Sequence, residues 1–345
     1  NDSFDLNGFV LTGAVVGGNN TDTLLDNTTY VITGTDSGTS PGASGGWSGV
    51  ENLTGTTGTD TFTYNGGTLS GTIDGATGAN DQVLGRSTAM AFVVNGVDAG
   101  TVTVSAVATT FTDIDILTGS SVADTFQFNA GSSLSGDASG LGGADGFTLA
   151  GNATAQNLLG GADVDTFDLG GFTLTGAIDG GAASDNLAGS DNSVVRGGNS
   201  GASTDVTGNW ASIENLQGTA GADTFTFNAG GSLSGNAEGL GAADQFNITA
   251  TTSVNMLDGG AGDDGFRITG DAVLTTTIEG GLGSDTVEFG VPASAADGSR
   301  LIGDLNLGLE LGETDVIDFS GSNLAQKVEA TADANNEQSG TITQF

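Results

Sequence analysis

The sequence of 345 residues predicts an all-β chain. The expected architecture is a parallel β-solenoid, of β-helix or β-roll type, with coils of about 20 residues. Three observations predict it. An acid followed two places later by a large apolar residue recurs at a near-constant spacing. The residues after each acid alternate polar and apolar with period two. Glycine is abundant, 62 residues against 2 prolines, and it falls at the turns between these stretches, without the strict three-residue repeat of collagen.

The spacing comes first. The recurring acids are Asp2, Asp22, Asp60, Asp81, Asp124, Asp145, Asp165, Asp185, Asp223, Asp244, Asp264, Asp285 and Asp315. Their apolar partners are Phe4, Leu24, Phe62, Val83, Phe126, Phe147, Phe167, Leu187, Phe225, Phe246, Phe266, Val287 and Ile317. Successive acids stand mostly 20 or 21 residues apart, and three gaps of 38, 43 and 38 are close to twice that. A period in this range marks a chain in which each repeat packs only on its neighbours.

The strands follow from the alternation. In 223–228, Thr224, Thr226 and Asn228 alternate with Phe225 and Phe227, as in a strand with one buried face. A Gly turn, a short segment around Leu233 and a second Gly-rich turn complete a coil. Each strand should pair with its copy about 4.8 Å away, and the inward Phe, Leu and Val should stack into a column. The double gaps hold variant coils: 46–55 with Trp47, 110–119 with Phe111 and 209–218 with Trp210. These aromatic residues are expected in the core. Counting one coil in each gap gives roughly 16 coils over roughly 75 Å. The array is expected to run over 1–300. A strand-rich terminating segment is expected over 301–345, with Leu305, Leu307, Leu309 and Leu311 alternating and Asp315–Gly321 forming another strand.

Charge narrows the partners. The chain has 42 acids and 5 bases, a net charge of -37. Nucleic acid is excluded as a direct partner, because phosphate contacts need Lys and Arg, and cations are favoured. With no Cys and no His, thiolate and imidazole metal sites are excluded. No stretch is long enough to span a membrane as a helix. Residues 1–25 match 164–187, so the chain opens inside a repeat. With no Met, charged n-region or apolar h-region at its start, it is expected to be a mature product, a fragment or a protein exported without an N-terminal signal. The uncapped start suggests a cut from a longer protein or an end that stacks on a second copy into a filament.

The loops carry the chemistry. Gly259-Gly260-Ala261-Gly262-Asp263-Asp264-Gly265-Phe266-Arg267 and Gly280-Gly281-Leu282-Gly283-Ser284-Asp285-Thr286-Val287-Glu288 both fit a Gly-Gly-x-Gly-x-Asp-x-apolar-x nonapeptide. Weaker copies occur at 55–62 and 218–225. The motif resembles the haemolysin-type (RTX) calcium-binding β-roll repeats of secreted bacterial proteins. The chain as a whole is similar to the Gly/Thr/Asn-rich strand repeats of large bacterial surface proteins and adhesins. The resemblance implies Ca²⁺ at Asp264 and Asp285, with Asp263, Asp244, Asp223 and Asp60 as further ligands. RTX nonapeptides run two per coil, whereas here the motif comes about once per coil, which leaves a single row of sites. Glycine exposes carbonyls, and a hard cation takes six to eight oxygens. The same spacing also fits a plain turn in which the Asp accepts loop N–H groups.

An enzyme is disfavoured, since Arg86, Arg196, Arg267 and Arg300 are scattered and no acid cluster stands apart from the repeat. Ice binding is disfavoured because the Thr rows are broken by Gln127, Asp168, Asn247 and Glu288. The expectation is a structural extracellular or cell-surface protein: a spacer, adhesin stalk or filament subunit, self-associating end to end. The alternative is an RTX-like domain that folds on calcium.

Overall fold

The computed structural model describes residues 1–25, 27–269 and 274–290, and the strands Asp304–Asn306, Val316–Asp318, Gln326–Ala332 and Gln338–Gln344. The described residues are all-β, without a helix, and form two mostly parallel sheets of many short strands. The chain packs as two compact units. The first comprises Asn1–Asp168 and Phe172–Ala183, the second Leu169–Gly171 and Ser184–Phe345.

Register follows the repeat, as the spacing predicts. In the first unit Phe126 stands opposite Phe147, and Phe147 opposite Phe167. In the second, Phe225, Phe246, Phe266, Val287 and Ile317 stand in one row of parallel strands. Because a strand's side chains alternate between faces, this register sends Phe225, Phe246, Phe266 and Val287 inward together. Phe126, Phe147, Phe167, Phe225, Phe246 and Phe266 are all buried. Their rings stack at centroid distances of 4.7 Å for Phe126–Phe147 and 4.8 Å for Phe147–Phe167. In the second unit the distances are 5.0 Å for Phe225–Phe246 and 4.8 Å for Phe246–Phe266. Ring spacing is thus set by strand spacing.

The double gaps differ from expectation. None holds a single variant coil. Each folds as a three-stranded antiparallel meander inserted into one sheet. The first is Thr29–Gly34, Ser37–Ser40 and Ala43–Ser48. The second is Met90–Val94, Gly100–Val104 and Val107–Thr112. The third is Asn192–Gly197, Ser200–Ser203 and Val206–Ala211. Each supplies three rungs where the spacing argument counted one coil, so the tally of roughly 16 coils does not describe the stack. The outer strands rejoin the parallel pattern: Thr29–Gly34 pairs with Thr61–Tyr64, and Met90–Val94 with Thr125–Phe128.

The same device holds each meander. A residue with left-handed backbone, Asp36 (φ 46), Asp98 (φ 48) or Asn199 (φ 50), accepts the N–H of a serine in the following coil. The distances are 2.7 Å from Ser70, 2.7 Å from Ser135 and 2.8 Å from Ser234. Asp and Asn tolerate this backbone better than other side chains. Trp47, Phe111 and Trp210 are core residues, as expected, and each lies over a glycine of the middle strand, Gly38, Gly100 or Gly201. A Cβ on Gly201 would lie closer than 3.0 Å to the Trp210 ring and to the Val194 carbonyl. Gly201→Val is therefore expected to cost about 2 kcal/mol and to shift Trp210 fluorescence. Denaturant unfolding followed by emission checks both.

Of the segment 301–345, Asp304–Asn306 pairs in parallel with Leu274–Leu282, and Val316–Asp318 with Thr286–Phe289. Gln326–Ala332 and Gln338–Gln344 then pair antiparallel. Leu307, Leu309 and Leu311 lie outside the described residues.

Candidate functional site: the acid ladder

The anchor acids stand at the entry of each inward-facing Phe strand, and they are buried: Asp60 0%, Asp145 2%, Asp223 2%, Asp244 2%, Asp264 2% and Asp285 0% exposed. A buried carboxylate needs hydrogen bonds. Where coils follow one another without a break, the backbone N–H of one acid donates to Oδ1 of the acid one coil on. In the second unit Asp223 N–H reaches Asp244 at 2.8 Å, Asp244 N–H reaches Asp264 at 2.7 Å, and Asp264 N–H reaches Asp285 at 2.9 Å. In the first unit Asp60 N–H reaches Asp81 at 2.7 Å, Asp124 N–H reaches Asp145 at 2.7 Å, and Asp145 N–H reaches Asp165 at 2.8 Å. The acids are brought together as a hydrogen-bonded ladder, coil to coil.

The glycine that stands five residues before most of these acids has a steric cause. A Cβ on Gly55, Gly119, Gly140, Gly218, Gly239, Gly259 or Gly280 would come closer than 3.0 Å to the Oδ2 of the acid that follows it. The recurring Gly is thus a seat for the carboxylate.

Two loop types fill the next position. Where it is Thr56, Ser120 or Thr219, that residue's N–H donates to Oδ2 of Asp60, Asp124 or Asp223, at 2.7, 2.5 and 2.7 Å. The hydroxyls of Thr56 and Thr219 add a second bond, at 3.1 and 3.2 Å. Where the position is left-handed, at Leu141 (φ 74), Leu240 (φ 78) or Gly260 (φ 95), no such bond forms. The Oδ2 atoms of Asp145, Asp244 and Asp264 are then buried without a hydrogen-bond partner among the described residues.

The electrostatics follow the loop type. Burial pushes Asp145 up to about 7, helped by the charges of Asp165, Asp124 and Asp163 and opposed by the Asp124 N–H. Burial pushes Asp244 and Asp264 up to about 6, each opposed by the N–H of the preceding acid. Asp124 and Asp223 are also raised by burial, and the N–H and hydroxyl of Ser120 and Thr219 hold them back. A lone orphaned oxygen in a buried site disfavours the charged form.

The sequence suggested acids stacked up one side. Within each unit the ladder instead changes edges. Asp2 and Asp22 precede strands of one sheet, Asp60 and Asp81 strands of the other, and Asp124, Asp145 and Asp165 strands of the first again. The meanders cause the switch, since each adds rungs to one sheet only.

Sequence reasoning passed over the acids at the breaks. Glu51 accepts the Asp22 N–H at 2.8 Å, Asp115 the Asp81 N–H at 2.9 Å, and Glu214 the Asp185 N–H at 2.7 Å. Each also has a Leu two places on, so the signal was present; only the irregular spacing hid it. A second acid row, Glu238, Asp258 and Glu279, stands in register on an outer face. Burial and the charges of Glu279 and Glu238 raise Asp258.

Of the expected calcium ligands, Asp60, Asp223, Asp244, Asp264 and Asp285 are ladder members. Asp263 is exposed, and its Oδ1 accepts the Ser284 N–H at 2.8 Å. As arranged, a ladder position brings one free carboxylate oxygen and one glycine carbonyl to a point: Asp264 with Gly280, or Asp244 with Gly259. Calcium takes six to eight oxygens. Among the described residues no group of three or more acids is placed to hold a metal ion. The carboxyl groups of Asp81, Asp145, Asp165, Asp244, Asp264 and Asp285 each accept a backbone N–H from the coil before.

No helix among the described residues is long and apolar enough to cross a membrane. No protein-family model matches the chain, and no curated protein matches it.

Proposed function

We propose that the chain is a structural repeat protein of the extracellular space or cell surface, serving as a stiff spacer, stalk or filament subunit. The observation that carries this reading is where the repeat's polar groups go. The ladder acids join neighbouring coils within each unit beside a stacked aromatic core. Stiffness is what such an arrangement supplies, since within each unit neighbouring coils are fixed to each other by burial and by backbone-to-carboxyl hydrogen bonds. Catalysis is no part of the proposal. Arg267 is paired with Glu288 at 3.4 Å, while Arg86 and Arg196 are exposed.

The alternative is a calcium-dependent folding domain, favoured by the two full nonapeptides and the orphaned Oδ2 of Asp264. The two readings separate in one experiment, thermal unfolding in calcium and in chelator at neutral pH. A spacer held by its own hydrogen bonds should melt within about 2 °C in both; metal-driven folding would add several kcal/mol and a far larger shift. Unfolding on chelation, reversed by calcium, would replace the first reading with the second. Electron microscopy of the same samples tests self-association. Long fibres would support end-to-end stacking, and a uniform population of single particles at high concentration would end that part of the proposal.

A further inference from the structure

The orphaned oxygen of Asp145 lies in a defined setting. Its Oδ1 accepts the Asp124 N–H at 2.7 Å, and its own N–H donates to Asp165. The residue is 2% exposed, and its Oδ2 has no hydrogen-bond partner among the described residues. A Cβ placed on Gly140 would lie closer than 3.0 Å to that Oδ2 and also to the Gly160 carbonyl oxygen of the next coil. Two acceptors thus lie about the same point. Buried acceptors so placed repel unless a hydrogen on one of them, a water or a cation bridges them.

We propose that Asp145 holds a proton on Oδ2 in the folded chain and donates it to the Gly160 carbonyl, making this a coil-to-coil lock that acid strengthens and alkali weakens. The proton comes from solvent, and no bond is made or broken elsewhere. The charged groups facing Asp145 all favour it. Asp124 lies on the coil before, Asp165 on the coil after, and Asp163 in the loop of that later coil. Arg86, the base that lines the neighbouring hollow with Leu141 and Gly142, is itself exposed. Asp124 is the internal contrast. Its Oδ2 accepts the Ser120 N–H, so it has no use for a proton.

The sign follows. The folded chain holds this proton with a pKa of about 7, against 3.8 ordinarily. A group raised on folding contributes stability that is complete below the ordinary value and is lost as pH rises through the folded one. The lock is therefore strongest below pH ~4 and fades through pH ~7.

Asp145→Asn tests the proposal in the full chain. The amide keeps the acceptor for Asp124 N–H and supplies a permanent N–H in place of the proton. In chelator at pH 8, Asp145→Asn should melt at or above the parent by roughly 2–4 °C, with a smaller gain on moving to pH 5. Asp124→Asn, which sets an N–H against the Ser120 N–H, should melt below the parent at both pH values. Equal losses for the two variants at pH 8, or an unchanged pH dependence in Asp145→Asn, would overturn the proposal. Should the variants not fold, carbon NMR of the parent's Asp145 carboxyl decides. A titration midpoint near 7 supports the lock, and one near the ordinary 3.8 removes it.

Discussion

Phe147→Ala is expected to destabilise the first unit by about 4 kcal/mol. Phe147 lies between Phe126 and Phe167, with ring centroids 4.7 and 4.8 Å away and interplanar angles of 6° and 11°. Truncation removes a fully buried side chain and leaves a cavity that two neighbouring rungs line. The cavity cannot close easily, because the strands on either side are fixed at hydrogen-bonding distance. Phe126 and Phe167 also each lose a ring partner, and such pairs contribute about 0.5–1.5 kcal/mol apiece beyond burial. Phe147→Leu separates the two effects. Leucine restores most of the volume but not the stacking, so it should recover more than half of the loss. Denaturant unfolding of parent and variants gives both numbers. A loss under about 1 kcal/mol for the alanine variant would mean that the stacked column does not hold the coils together. Because repeats interact only with their neighbours, hydrogen exchange should report the opening near coils 124–168 and leave the distant coils of the same unit largely protected.

The core was legible in the sequence because a parallel register repeats one local pattern. Asp-x-Phe at a period of about 20 fixes which face is inward, and nothing else is needed to place Phe225 against Phe246. The meanders were not legible by the same route. Their strands are antiparallel and local, and one hairpin turn lacks the usual marker. Ser105 and Ala106 both take left-handed backbone, φ 50 and 64, where Asn-Gly is the common choice. The clamps Asp36, Asp98 and Asn199 were likewise silent, since none is followed two places on by a large inward apolar side chain. The acids were found, but their work was not. Spacing alone shows that carboxylates stack; it does not show that each takes the N–H of its neighbour, which turns expected repulsion into a bonded column. The split into two loop types was present as Thr or Ser against Leu or Gly after the seat glycine. Its meaning depends on backbone angles that the sequence does not print.

Gly239→Ala and Gly241→Ala, two residues apart in one loop, should behave oppositely, and the difference measures the ladder. A Cβ at position 239 would come closer than 3.0 Å to Asp244 Oδ2 and to the Gly259 carbonyl oxygen. Neither can yield cheaply. The carboxylate is held by the Asp223 N–H at 2.8 Å, and the carbonyl belongs to the backbone of the next coil. Relief requires Asp244 to leave its seat. That strains the loop and breaks a buried hydrogen bond to a charge-bearing group, so the expected cost is about 3 kcal/mol or more. At position 241 the nearest atoms to a new Cβ are the Ala220 and Ala261 carbonyl oxygens, at 3.8 and 3.9 Å, which is ordinary contact. Alanine there should change stability by no more than about 0.5 kcal/mol, or add slightly to it by restricting the unfolded chain. Ala→Gly reversion is not needed as a control, because composition, charge and loop length are the same in both variants. Equal stability of the two would show that the seat glycine is a matter of turn flexibility. A loss confined to Gly239→Ala would show that it is the space kept for the carboxylate that the repeat preserves.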